Sequence, residues 1–195
     1  MFGQKAQNKE LDKFAELLAK SIESLFKERG EIVFSRKPVL TRSNIVEYEG
    51  RMRVAGMEKF DNEPTYISAV SFFSNARDME KHNTLGVVVV YVKQDYLATI
   101  MKMLQYPPID DESDDELRDS CGTLCNIIAG RFKSEISAAG YVELEMSHFV
   151  NFRNSSFGGV EFCRSEYDKY QIEFVIQDKK QVVVEMSMGP VPRAA

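Results

Sequence analysis

Apolar positions recur along the chain at two spacings, and these set out its expected elements. From about Leu11 to Lys27, the residues Leu11, Phe14, Leu17, Leu18, Ile22, Leu25 and Phe26 return at helical intervals, which predicts an amphipathic helix ended by Gly30. A polar connector containing Pro38 follows, and then three β-like stretches, Arg51 to Phe60, Thr65 to Phe73 and Leu85 to Lys93. The last is apolar on both faces and β-branched, as a strand in the middle of a covered sheet should be. Asp95 reads as the N-cap of a short helix, Tyr96 to Gln105, which Pro107-Pro108 stops. A long helical segment spans roughly 114 to 139 and is closed by Gly140. Four further strands are expected, Tyr141 to Val150, Val160 to Arg164, Tyr170 to Gln177 and Gln181 to Met188. Asp178-Lys179-Lys180 is the turn between the last two, and Asn151 to Gly159 reads as a loop. Strands grouped by short connections predict an α+β fold, a mainly antiparallel sheet packed with helices, in a single domain over 1–195 with its core at about 10–190.

Charge changes this picture at one place. The chain of 195 residues carries 30 Asp and Glu against 25 Lys and Arg. Six of the acids fall in Asp110-Asp111-Glu112-Ser113-Asp114-Asp115-Glu116, and without them the balance is 24 acids to 25 bases. No basic field is left to hold a nucleic acid. Within that run, Ser113-Asp114-Asp115-Glu116 has the form of a capping box. The Ser113 hydroxyl is expected to accept from the Glu116 amide, and the Glu116 side chain to return to the Ser113 amide.

Sorting the long helix at 100° per residue gives two faces. Leu117, Cys121, Leu124, Ile128, Phe132 and Ile136 form an apolar stripe with Cys125 at its border. Asp119, Thr123, Asn126, Gly130, Lys133 and Ser137 form the opposite, polar face. Gly122 and Gly130 each weaken a helix by about 1 kcal/mol relative to alanine. Two reasons for them stand open: tight packing inside the fold, or close approach of another backbone.

Asp119-x3-Thr123-x2-Asn126, followed by Ile127-Ile128-Ala129-Gly130-Arg131 and later Gly140, resembles the signature helix of the CheC, CheX and FliY family of chemotaxis phosphatases. The order of the expected elements over about 10 to 190 is similar to that of CheX, which carries one such helix. The resemblance implies a cytoplasmic protein whose helix docks on a phosphorylated CheY-type response regulator, with Asn126 orienting the water that attacks the aspartyl phosphate. It implies docking roles for Asp119, Thr123, Gly130 and Lys133. It also implies no cofactor of the chain's own, with Mg2+ held by the partner regulator, and a homodimer formed by pairing sheets, for which the Gln181 to Met188 strand is a candidate edge, although a covered internal strand would read the same.

Two departures from the family pattern bear on activity. The family's glutamate position is Thr123, so the ion pair with a basic residue of the partner is lost; Asp119, one turn away, is the candidate replacement. The proline that follows the family's Asn by some twenty residues is also missing, since no proline occurs between Pro108 and Pro190. A non-catalytic module that binds a response regulator or a flagellar-switch component on the same fold is therefore the alternative. Glu80-x2-Asn83 repeats the short spacing in a polar loop, so position on the long helix carries the resemblance.

Other chemistry finds little support. Cys121 and Cys125 lie four apart but have no His or Cys partner at metal-binding spacing, and read as buried thiols. Three cysteines without a CxxC pair fit a reducing compartment. His82 and His148 stand isolated, and no phosphate-binding glycine loop occurs. The N-terminus has no signal-peptide pattern, and no apolar run reaches the roughly 18 residues of a membrane span.

Overall fold

A computed structural model describes residues 9–30, 32–110, 113–152 and 158–194. Helix α1 (Lys9–Gly30) is followed by strands β1 (Val39–Asn44), β2 (Glu47–Tyr48) and β3 (Arg51–Val54), a 3₁₀ turn (Met57–Lys59) and β4 (Thr65–Phe73). Then come α2 (Ala76–Glu80), β5 (Gly86–Lys93), α3 (Gln94–Met103) and α4 (Asp114–Ala138). The chain ends in β6 (Glu145–Met146), β7 (Val150–Phe152), β8 (Gly158–Val160), β9 (Asp168–Ile176) and β10 (Lys179–Met188). A seven-stranded sheet runs β1-β9-β10-β5-β4-β6, with β7 also paired to β4, and every pairing is antiparallel. The expected α+β class holds.

Alternation along each strand divides the core in two. Val88, Val90, Val92, Ile172, Phe174, Val182, Val184 and Met186 face α1, α3 and α4. Residues Val87, Val89, Tyr91, Ile67 and Val183 face the other way, against Met52, Val54, Phe60, Val160 and Phe162. That second cover is a small sheet, β2-β3-β8, which the sequence pattern did not announce. The predicted apolar stripe of α1 is buried at Leu11, Phe14, Leu18, Ile22, Leu25 and Phe26, with Leu17 partly so. Each such side chain contributes about 1.5–3 kcal/mol relative to an exposed one.

Several expectations are corrected. The terminal strand is no edge: β10 lies between β9 and β5, and its Val182-Val183-Val184 run is apolar because both faces are covered. The outer strand on that side is β1, inside the segment expected to be a connector. Arg51 to Phe60 breaks after Val54 into the 3₁₀ turn, and Tyr141 to Val150 is mostly irregular, with only β6 and the first residue of β7 in strands. The strand expected at Val160 to Arg164 instead ends at Val160. Lys93, not Asp95, is the N-cap of α3, and Asp95 stands in its first turn. That helix ends at Met103, and Gln105, at φ +63°, turns the chain before the prolines. Gln177 and Asp178, with φ +52° and +59°, make the β9–β10 turn, a two-residue form that suits strand twist. Of the loop expected at Asn151 to Gly159, the ends belong to β7 and β8, and residues 153–157 lie outside the described residues. Glu80 of the chance motif ends α2, and Asn83 follows that helix.

Candidate functional site

Helix α4 is fixed at both ends. The Ser113 hydroxyl accepts from the Glu116 amide at 3.3 Å, as the capping box requires. The Glu116 carboxylate, however, accepts from the Asp110 amide at 2.9 Å, one turn of chain earlier than expected. Ser113's own amide is occupied by the Asp110 carbonyl at 3.1 Å, which explains the change of partner. Asp111 and Glu112 of the acidic run lie outside the described residues. Asp114 pairs with Arg118 and accepts from the Tyr66 hydroxyl at 3.0 Å, tying the first turn to β4. Burial and this carboxylate push the Tyr66 phenol up to about 12, so it donates throughout the physiological range.

At the other end Gly140, at φ +85°, reverses the chain. The C-terminal segment then covers the helix end: Arg193 stacks on Tyr141 at 3.8 Å and donates to the Ala139 carbonyl at 3.0 Å. A cation placed there also complements the negative end of the helix dipole. Along its length, α4 is clamped to α1 by the two hydrogen bonds of Arg131 to Glu28, each 2.8 Å.

The two faces fall as the sequence predicts. Leu117, Cys121, Leu124, Cys125, Ile128, Phe132 and Ile136 are buried. Burial raises the Cys121 thiol to about 12, and the Cys125 thiol also rises well above its ordinary value, chiefly from burial. Both are packed thiols held protonated at neutral pH, not nucleophiles or soft ligands. Among the described residues, no group of three or more His, Cys, Asp or Glu could hold a metal ion.

Asp119 and Asn126 are exposed on the outer side of α4, with Thr123 and Gly130 half-buried on the same face. Among the described residues no hydrogen bond or ion pair restrains the Asp119 carboxylate or the Asn126 amide, so both are free to engage a partner. Lys133 is also on this face but reaches Glu143 at 3.3 Å, which directs its charge toward the chain after α4. Gly122 and Gly130 have different reasons. A Cβ on Gly122 would run into the Phe149 ring, so that glycine admits Phe149 against the helix; among the described residues, a Cβ on Gly130 would meet nothing within 4 Å beyond the helix's own backbone.

A groove of about 430 Å³ opens beside the face, a feature the sequence reading missed. Tyr106, Pro107, Pro108 and Ile109 form its apolar wall, and Asp119 and Thr123 lie on the helix side. The prolines seen as a helix stop instead hold this wall. A contiguous Tyr-Pro-Pro-Ile stretch ahead of the acidic run was the available signal.

With this geometry in place, comparison with known proteins identifies the type. Residues 81–152, which contain α4 and its motif, match the family model described as chemotaxis phosphatase CheX. Over that stretch the chain is similar in sequence to CheX. A CheC-like protein from Shewanella sp. PV-4 superposes with a TM-score of 0.58 at 18% identity, covering 89% of this chain and 95% of that one. The chemotaxis protein CheX of Vibrio vulnificus gives 0.54 at 11% identity, with 89% and 97% covered. The CheX of Borrelia burgdorferi, in a structure of the CheX-CheY-BeF3-Mg2+ complex, gives 0.51 at 16% identity, with 91% and 98% covered. No curated protein matches the chain in sequence. The resemblance to the CheC, CheX and FliY family, nearest in type to CheX, is therefore borne out, and these likenesses in structure carry the fold. No described helix is long and apolar enough to cross a membrane.

Proposed function

We propose that this CheX-like protein docks the exposed face of α4 onto a phosphorylated CheY-type response regulator and hydrolyses its aspartyl phosphate. The observation that carries the reading is the unrestrained Asn126 amide, exposed at mid-helix on a scaffold pinned at both ends and along its side. A carboxamide offers both a donor and an acceptor, so it can hold a water in line with phosphorus. Such positioning is most of what phosphoryl transfer asks of a protein. The fold similarity to a CheX crystallised with CheY, BeF3 and Mg2+ supports the choice of partner. A divalent cation held by the regulator would supply charge to the phosphoryl group.

In this reading Asp119 and Thr123 make the docking contacts, with Asp119 supplying the charge that Thr123 lacks. The protein acts in the cytoplasm, where its regulator substrate resides, and as a homodimer. The β1 strand, Val39–Asn44, has one flank paired to β9 and carries a single charged residue, Arg42, so it is the edge available for sheet pairing.

Thr123 favours a second reading, a binding module for a response regulator or switch component that hydrolyses nothing. Binding to a CheY-type regulator activated with BeF3 and Mg2+, alongside turnover of the phosphorylated form, separates the two. The phosphatase reading predicts both binding and accelerated phosphate loss, and Thr123→Glu should raise the rate by tightening docking. Binding without acceleration in the wild type, with hydrolysis appearing only in Thr123→Glu, would establish the binding module.

A further inference from the structure

Gly130 weakens α4, and no contact among the described residues compensates for it. Its φ is not positive, so no left-handed turn demands glycine there. Among the described residues, no atom beyond the helix's own neighbouring backbone stands within 4 Å of where a Cβ would be, so none of them demands the space. Gly122, on the same helix, shows what an internal reason looks like, with the Phe149 ring in the place of its side chain. In the interior of a 25-residue helix, glycine in place of alanine loses about 1 kcal/mol. Ser134 adds to the local weakness, since its hydroxyl bonds back to the Gly130 carbonyl at 3.1 Å.

The position of Gly130 on the helix supplies the missing reason. Residues four apart on a helix are neighbours about 5–6 Å apart at Cβ, so Gly130 stands directly beyond Asn126 on the outer face. It leaves a strip of bare helix backbone adjoining the proposed water-orienting amide. We propose that Gly130 is a positioning residue: a backbone segment of the docked regulator lies against α4 there, and this contact sets the depth at which Asn126 reaches the phosphoryl group. The inference rests on the regulator-docking reading above and adds to it the part of the partner surface that must meet the helix, main chain without an intervening side chain.

The consequence is a pair of effects with opposite signs. Gly130→Ala fills empty space and restores helix propensity, so its unfolding midpoint in heat or urea should rise above wild type. The same methyl group should hold the regulator off the helix. Displacement by about 1 Å at a reacting centre loses on the order of 10²-fold in rate. Affinity for a BeF3- and Mg2+-loaded CheY-type regulator is expected to fall at least about tenfold, or about 1.4 kcal/mol, in Gly130→Ala and further in Gly130→Leu. Titration calorimetry with a panel of such regulators, together with urea unfolding of the three proteins, gives both readouts. A merely structural glycine would not couple a gain in stability to a loss of binding. Wild-type binding that both substitutions leave unchanged would overturn the inference while leaving the regulator reading intact. Failure of the wild type to bind any of the regulators would overturn both.

Discussion

Glu185 is a carboxylate at 1% exposure in the middle of the central sheet, where an unpaired charge would unfold a protein of ordinary stability. It is fully partnered. Lys59 and Lys169 each reach one oxygen at 2.6 Å, and the Tyr91 hydroxyl donates to the other at 2.6 Å. Burial on its own would raise the carboxyl's pKa, but the two ammonium groups outweigh it and hold it below the ordinary 4.5. A carboxyl lowered on folding contributes stability that is present in full above its unfolded value. That contribution is lost as pH falls below about 4.5 toward the lowered folded value. Glu185→Ala should lose about 3–5 kcal/mol by leaving two lysines buried without a counter-charge, measured by urea unfolding at pH 7. It should also flatten the decline in stability below pH 4.5, since the group that titrates there is gone. An unchanged acid limb in the variant would show that other carboxyls govern that decline.

At the scale of elements, α4 depends on how it starts. Ser113→Ala removes the oxygen that accepts from the Glu116 amide and should destabilise the protein by about 1 kcal/mol. Hydrogen exchange should quicken in the first turn, Asp114 to Leu117, and remain slow around Ile128. Uniform quickening along the helix would mean that the cap and the Tyr66–Asp114 bond do not act locally. Most of this helix was legible in the sequence, because Ser113, the apolar stripe and Gly140 are local signals and each has a local physical effect. The terminal strand was not, because Val182-Val183-Val184 is consistent with any strand covered on both sides, and only the sheet order shows that β10 is internal. Strand β1 escaped for the opposite reason: Thr41, Arg42, Ser43 and Asn44 are polar, and their strand state comes from pairing with β9 more than 120 residues later in the chain. The groove beside Asp119 likewise depends on where the Tyr106–Ile109 chain packs, which no periodicity encodes. Asn126 and Asp119 were legible as a pair because both lie on one helix, where spacing alone decides the face.

Across the whole molecule, acids exceed bases by five, and three of the acids, Asp115, Glu116 and Asp119, border the groove beside the proposed docking face. Acids so placed favour a basic partner surface and accelerate its approach. Association with an activated regulator should therefore slow as salt rises from 0.05 to about 0.5 M, while dissociation changes little. Stopped-flow binding across that range checks this, and a salt-independent association rate would remove the acidic border from the account. The central claim concerns the Asn126 amide, and one measurement addresses it directly. The rate of phosphate loss from a phosphorylated CheY-type regulator is followed with wild-type protein and with Asn126→Ala, at concentrations that saturate binding. The account predicts acceleration by the wild type and a return to the regulator's unassisted rate with Asn126→Ala, at unchanged affinity. Acceleration that survives Asn126→Ala would contradict it.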